Sequence, residues 1–260
     1  MGISSKLIFC HRKLAYYRSI FSYITSLIRE LENYIRRYGD GGISKLNAIC
    51  FNHSICLAAE KVSDYPGCDI KDGSFRILFQ ENCLGADCFS GIWGFDQAVN
   101  NAVDPTEHSS MSFLATQSVK LKFDTQIEAI RLKAATMLQF PSIKLTGDFE
   151  AIFTKLNAAK PLYWDTKEKR LGDVAFEYFK NAFLEEVRLE FANDDEACEA
   201  FREAVFRDEV RLRIVDQIAE RNGFNFEAVI EEGVLYIQVS SQLNYCGNFC
   251  KLIATLRQLR

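Results

Sequence analysis

The sequence predicts a predominantly helical α+β protein, with a long N-terminal helix in a helical bundle and a small antiparallel sheet. Three observations support this fold class: a heptad-like apolar row near the N-terminus, several later segments of helical periodicity, and three short stretches typical of strands. Of 260 residues, 48% are hydrophobic, which is enough for a substantial core. We expect a single compact domain over residues 1–260, with residues 141–147 as a weak seam between subdomains.

The first helix is predicted by apolar residues that recur at alternating spacings of three and four. A second row, formed by Ile20, Leu27 and Tyr34, widens the apolar face, so we expect the helix to pack against several elements of its own domain. The first row consists of Leu7, Cys10, Leu14, Tyr17, Phe21, Ile24, Ile28, Leu31, Ile35 and Tyr38.

A glycine cluster at residues 39–42 predicts the end of this helix, because glycine readily adopts the left-handed conformation found after helix C-termini. Residues 43–62 have helical spacing again and predict a second helix that returns along the first. Together the two helices would form an αα-hairpin.

The remaining elements follow from local periodicity and turn residues. Strands are predicted at residues 75–79, 112–122 and 233–240, and they would form the small sheet. Helices are predicted at residues 125–140, 148–156, 174–191, 193–221 and 246–259. Asp148 and the acidic run at 193–196 are expected to cap the helices that they precede. The sequence shows no internal repeat.

Charge and cysteine usage limit the environment and the partners. The formal net charge is −4 and no basic face is apparent, so nucleic acid is not expected as a partner. The nine cysteines lack a regular disulfide spacing, and no secretory signal is recognised, which favours free thiols in the reducing cytoplasm. The most apolar helical stretch, residues 14–28, is short, amphipathic and interrupted by Arg18, so no membrane span is expected.

The sequence carries no motif that is typical of a bound cofactor. The sequence contains no phosphate loop, dinucleotide-binding glycine pattern or two-histidine metalloprotease motif. Cys246 and Cys250 could join Cys83 and Cys88 in a zinc site, but Phe249, Leu252 and Ile253 beside the first pair indicate a packed helix rather than a zinc knuckle. We therefore expect neither a metal nor a cofactor.

A thiol nucleophile is the alternative functional hypothesis. Cys88 precedes a short possible helix, His108 could serve as its base, and Asp124 or Asp104 could orient the histidine. Cys50 is a substitute nucleophile, although it is predicted to lie within a helix, where thiols are usually structural. This constellation would define a cysteine-dependent hydrolase or acyl-transfer enzyme.

The leading hypothesis is a non-catalytic protein that binds another protein through its N-terminal helical hairpin. Tyr16 and Tyr23 are the predicted partner-binding residues, because tyrosine tolerates half-exposed positions and is enriched at interfaces. The numerous carboxylates between residues 185 and 209 are interpreted as a solvated helix surface, with Glu203–Arg207 and Glu209–Arg213 as ion pairs one helical turn apart. The sequence does not define an oligomeric state.

Overall fold

The computed structural model describes residues 4–60, 66–80, 92–104, 109–161, 164, 168–218 and 226–241, with side chains from residue 20 onward. The chain divides into two compact units, Met1–His108 and Ser109–Arg260. This division falls after residue 108, and residues 141–147 lie inside the second unit. Whether the chain unfolds as one domain stays a prediction.

The long N-terminal helix is confirmed. Helix α1 spans Ser4–Ile49, a length of 46 residues, and Gly39 interrupts it with non-helical angles (φ 54°, ψ −139°). The glycine cluster therefore divides the helix into segments 4–38 and 40–49. No helix within the described residues combines the length and hydropathy that a bilayer crossing requires.

The predicted second helix, residues 43–62, is wrong beyond Ile49. After a turn in which His53 has a positive φ of 47°, the chain forms strand β1, Ser54–Ala59. These six residues pair with a later strand, so tertiary hydrogen bonding replaces the expected helix.

The first unit contains a three-stranded mixed sheet. Strand β2 covers Gly67–Lys71 and strand β3 covers Ser74–Phe79, which confirms the predicted strand at 75–79. The strand order is β1-β3-β2, with β1 parallel and β2 antiparallel to the central β3.

Helix α2, Phe95–Asn101, covers this sheet and connects it to α1. The Phe95 ring lies 5.5 Å from the rings of both Tyr34 on α1 and Phe75 on β3. All three rings are buried, as is Ile77 on β3. The aromatic contacts therefore form the interior of the first unit.

The second unit begins with helical segments, two of which widen into π-helix. The segments are α3 (Phe113–Ser118), π1 (Val119–Asp124), α4 (Ile127–Met137), α5 (Phe149–Ala159), α6 (Leu171–Glu177), π2 (Tyr178–Leu184), α7 (Glu185–Glu190) and α8 (Asp195–Ala204). The predicted N-caps are confirmed, because Asp148 and Asp194 accept hydrogen bonds from the amides of Ala151 and Ala197 at 3.0 and 2.9 Å.

The predicted strand at 112–122 is wrong, because α3 and π1 occupy this stretch. The Ser112 side chain caps the helix by accepting from the Ala115 amide at 3.3 Å. Phe113, Leu114 and Ala115 are all buried, so apolar residues surround the helix and mask its 3.6-residue period in the sequence.

The predicted helix at 193–221 ends early, at Ala204. Asp208 then takes a positive φ of 58°, and strand β5 follows at Glu209–Val215. Buried residues alternate with half-buried polar residues along β5, which is the two-residue period of a strand. A two-residue period is therefore present in residues 209–215, where a helix is predicted from the sequence.

A four-stranded mixed sheet completes the second unit. Its other strands are β4 (Lys144–Gly147), β6 (Phe226–Glu231) and β7 (Val234–Ser240), in the order β4-β5-β7-β6. Strands β4, β5 and β7 run parallel and β6 is antiparallel. The prediction of one antiparallel sheet is thus corrected to two mixed sheets, with the predicted strands 75–79 and 233–240 in different units.

The helices of the second unit cover one face of this sheet. Residues from helices α4 to α8 share one apolar core with β5, β6 and β7, including the fully buried Phe179, Phe183 and Phe201. A helical layer on a sheet describes this unit better than a helical bundle does.

The two units repeat one arrangement of the chain, although the sequence shows no repeat. In each, a helix ends two residues before a phenylalanine, a residue with positive φ lies two residues after that phenylalanine, and a strand begins directly after it. That strand then pairs in parallel with the second arm of a β-hairpin. The arrangement comprises residues 40–59 with 67–79 in the first unit, and residues 195–215 with 226–240 in the second.

The repeated hairpins close in the same way. Asp72-Gly73 and Glu232-Gly233 both have positive φ at each residue, which suits the right-handed twist of two-residue hairpins. An added Cβ at Gly73 would lie 2.5 Å from the Phe51 ring, and one at Gly233 would lie 2.6 Å from the Phe206 ring. A helix-end phenylalanine and a turn glycine are thus matched in both units.

The close approach of α6 to the start of π1 also depends on a glycine. The Gly172 amide donates to Ser118 Oγ at 2.9 Å, and this contact is buried. An added Cβ at Gly172 would lie 2.1 Å from the Ser118 carbonyl oxygen. Backbone atoms leave little room for adjustment, so only glycine fits this position.

We expect Gly172→Ala to lower the free energy of unfolding by about 2–4 kcal/mol, because the methyl group forces two packed backbones apart. Urea titration of the full chain measures this change. Gly67→Ala is the matched control, since an added Cβ there meets nothing within 4 Å. Equal stability of the two variants would contradict the close-packing account.

Candidate interaction surface

Helix α1 has one apolar side buried and another exposed. Tyr23, Leu27 and Tyr34 are each 1% exposed, whereas Phe21 is 72% and Ile28 49% exposed. We name the exposed set the outer stripe. The outer stripe consists of Phe21, Ile24, Ile28 and Ile35.

The outer stripe belongs to the first apolar row of the sequence, and the buried side includes Leu27 and Tyr34 of the second row. The expectation that the molecule itself covers the apolar face of the helix is therefore correct for Leu27 and Tyr34 of the second row and wrong for these four residues of the first. From Phe21 to Ile35 the outer stripe is about 21 Å long at a rise of 1.5 Å per residue. Its spacing is that of a helix-packing surface.

Aromatic and ionic contacts fix the orientation of α1. Arg37 Nη1 donates to Asp96 Oδ2 of α2 at 2.8 Å, and the guanidinium lies 5.5 Å from the Tyr38 ring. The edge contact between Tyr34 and Phe95 lies beside them. Burial raises the pKa of Tyr34, with further contributions from Tyr38 and Asp96, so the phenol stays neutral. With the inner side held on α2, the outer stripe faces away from the core.

A buried ion pair holds the second segment of α1. Lys45 Nζ lies 3.1 Å from Asp104 Oδ2, and the two side chains are only 4% and 7% exposed. Removing one partner of such a pair typically costs about 3–5 kcal/mol, because the other charge is left buried. Asp104, an alternative orienting carboxylate for the thiol hypothesis, is thus occupied by Lys45.

Polar residues border the outer stripe. Thr25, Arg29, Glu32 and Arg36 are exposed along the adjoining side of the helix. Thr25 Oγ1 donates to the Phe21 carbonyl at 2.9 Å, so its hydroxyl is satisfied within the helix. An apolar centre with a polar border is the usual composition of a protein interface.

The two predicted partner-binding tyrosines are placed differently. Tyr23 is 1% exposed and lies on the inner side of α1. Tyr16 belongs to the helix, but its side chain lies outside the described residues. A binding role for the pair stays a prediction, and Phe21, Ile24, Ile28 and Ile35 are the exposed residues that it overlooked. Their membership of the first apolar row was the available signal.

The described residues include only part of the proposed thiol constellation. Cys88 and His108 lie outside the described residues, and Asp124 is exposed at the end of π1. Cys50 directly follows the last residue of α1 rather than lying within it, and partial burial raises its pKa. A raised pKa reduces the thiolate fraction needed for nucleophilic attack. The alternative hypothesis of a thiol enzyme stays a prediction.

Metal ligands are not clustered in the described part of the chain. There, no group of three or more His, Cys, Asp or Glu side chains lies close enough to hold a metal ion. Cys83, Cys88, Cys246 and Cys250, which were considered as zinc ligands, lie outside the described residues.

A polar surface lies on the sheet of the second unit. The guanidinium of Arg213 stacks 3.9 Å from the Tyr236 ring centroid, and Arg211 lies beside it. Arg211 binds both carboxylate oxygens of Glu209, and Arg213 binds both of Glu231. The hydrogen bonds from Arg213 lower the pKa of Glu231. These charges therefore satisfy one another, which weakens the case for an anionic ligand here.

The ion pairs predicted on a helical surface are corrected by this geometry. Glu209 and Arg213 lie on β5 and bind other residues. Arg207 lies in the turn after α8, where its guanidinium is 3.8 Å from Glu232. The expected spacing of one helical turn does not exist in a strand, so the pairing follows the sheet instead.

The comparisons with known proteins give no further guidance. No family model, curated protein or solved structure matches the chain. The functional inference therefore rests on the residues and geometry of this molecule.

Thiol accessibility gives a direct test of the described cysteines. Burial, with the nearby Asp69 and Glu30 charges, raises the pKa of Cys68 to about 12, whereas Cys56 is exposed. Among the cysteines whose side chains the structure describes, we expect maleimide at neutral pH to label Cys56 first. We expect it to label Cys68 about fifty times more slowly than an ordinary thiol. Because Cys68 stays protonated, its labelling rate should rise without a plateau up to about pH 10.

Mass spectrometry of digested, labelled protein separates these sites, and labelling in denaturant is the control that should equalise their rates. Cys68 labelling as fast as Cys56 in the folded chain would contradict the burial account. Selective, rapid labelling of Cys88 that depends on His108 would instead support the thiol enzyme.

Proposed function

We propose that this protein is a non-catalytic binding protein that captures another protein through the outer stripe of α1. The observation that carries the proposal is the exposure of four large apolar side chains at helix-packing spacing on an anchored helix. The net charge of −4 supports a protein rather than a nucleic-acid partner. A cytoplasmic setting, suggested by the cysteine composition, is part of the same proposal.

The free energy available from the outer stripe limits the kind of complex that we expect. Full burial of a large apolar side chain contributes about 1.5–3 kcal/mol, and the outer-stripe residues are 39–72% exposed, so together they offer about 3–6 kcal/mol. Association costs about 4–15 kcal/mol because the two molecules lose translational and rotational freedom. The four side chains alone therefore support only weak binding. A stable complex needs a partner that also contacts the polar border or the positions of the first row before residue 21.

An amphipathic helix is the partner shape that fits best. Phe21, Ile24 and Ile28 are spaced at i, i+3 and i+7, which is the pattern of helical recognition. A second helix laid along α1 would contact all four outer-stripe residues and the polar groups beside them.

Photochemical cross-linking tests this proposal in the full chain. The photoreactive residue p-benzoylphenylalanine is placed at Phe21, on the outer stripe, or at Leu132, which is 53% exposed on α4 of the second unit, and the protein is irradiated in an extract of its source cells. We expect specific protein adducts from position 21 and few from position 132, because only the first lies on the outer stripe. The same adducts from both positions, or none from position 21, would argue against the outer stripe.

A substitution pair measures the contribution of the outer stripe to binding. Ile28→Asp places a charge at its centre, and we expect it to weaken binding of the cross-linked partner at least tenfold. Arg29→Asp is the matched control, since it changes an exposed neighbouring residue and should alter affinity less than threefold. Circular dichroism and urea titration establish that both variants fold. Equal affinities for the two variants would refute the proposed contact.

A further inference from the structure

The outer edge of β1 carries backbone groups that point away from its sheet. The amides of Asn52 and Glu60 donate to the carbonyls of Gly73 and Phe79, so even-numbered residues of this stretch face β3. Because backbone groups alternate along a strand, those of Ile55, Leu57 and Ala59 face the opposite side. Within the described residues, no strand lies beyond β1 in the order β1-β3-β2.

The equivalent edge in the second unit is occupied. Strand β5 corresponds to β1 in the repeated arrangement, and β4 pairs with it in parallel. The Lys144 amide donates to the Asp208 carbonyl at 2.7 Å, and Asp208 corresponds to His53 of the first unit. Leu145 of β4 is buried beside Val210. The molecule itself thus shows what covers this kind of edge.

Side-chain burial also differs, because β4 and the helices of the second unit together cover the equivalent position. Ile55 pairs in register with Phe75 as Val210 pairs with Leu235, so Ile55 and Val210 hold equivalent positions. Val210 is 0% exposed and Ile55 is 55% exposed. An apolar side chain that is fully covered in one unit is therefore half uncovered in the other.

We propose that the edge of β1 is a docking site for an extended segment of a partner protein, which adds a parallel strand there as β4 does on β5. This site is separate from the outer stripe of α1. Strand addition uses backbone hydrogen bonds for affinity and alternate side chains for specificity. The first backbone acceptor would be the His53 carbonyl, by correspondence with Asp208.

The residues of β1 indicate the chemistry of the segment. On the face of the sheet that carries the side chains of Ile55 and Leu57, the segment needs a branched apolar residue, equivalent to Leu145 of β4. On the other side, β1 carries the small, uncharged Ser54, Cys56 and Ala58, where β5 carries Glu209 and two arginines. The site therefore fits a neutral or weakly charged strand, and it makes little demand for ion pairs.

A peptide based on β4 is the probe. The acetylated and amidated peptide SIKLTGD, residues 142–148 of this chain, is titrated into the full-length protein, and amide hydrogen exchange is followed along the sequence. We expect slower exchange at residues 53–59 and no change at 209–215, where β4 already lies. The peptide SIKLPGD is the matched control, because proline at the position of Thr146 removes a backbone donor that, by alternation from the Lys144 amide, faces the neighbouring strand.

A proline variant tests the edge itself. Ile55→Pro removes an outward amide and leaves the hydrogen bonds to β3, so the fold should persist while peptide affinity falls at least tenfold. Ile55→Val keeps the amide and should bind within threefold of the original chain. Ile28→Asp should leave peptide binding unchanged, which separates this site from the outer stripe. Absence of protection at 53–59 in the original chain, or unchanged binding by a folded Ile55→Pro, would overturn the proposal.

Discussion

The burial of the inner side of α1 is the constraint on which the first unit depends. Tyr34 contacts Phe95, Phe95 contacts Phe75, and this series of rings joins the helix to the sheet through α2. Since a helix presents residues three and four apart on one face, fixing Tyr23, Leu27 and Tyr34 inward also fixes the outer stripe outward. The surface available to a partner is thus set by interior packing.

The repeated arrangement explains why the units differ at their sheet edges. Each uses a phenylalanine to cover a hairpin glycine and places the strand after the helix parallel to the last strand. In the second unit, β4 and helices α4 to α8 complete the sheet and its core. In the described part of the first unit, α2 contacts β2 and the Phe75 ring of β3, and Ile55 of β1 stays exposed. The same local construction therefore produces one covered edge and one open edge.

Local signals predicted much of the helical structure. The heptad spacing of α1, the caps at Asp148 and Asp194, and the β-branched and aromatic residues of β7 were all recognisable in the sequence because neighbouring residues decide them. The strand β1 and the helical stretch 112–122 were not, since pairing with a distant strand or burial on all sides overrides local period. The repeat was hidden because Phe51 and Phe206 match while most of their neighbours differ. The outer stripe was visible as a pattern, but its exposure depends on which of two apolar rows meets α2.

The central position of the last hairpin strand affects how each unit is made on the ribosome. In both sheets the strand that joins the others, β3 or β7, follows them in the chain. During translation, β4 and β5 can pair with each other before β7 emerges, but neither sheet is complete until its joining strand, β3 or β7, is made. Until then the unpaired edges of the nascent strands are open to incorrect pairing, which makes chaperone contact most valuable just before β3 and β7 leave the exit tunnel.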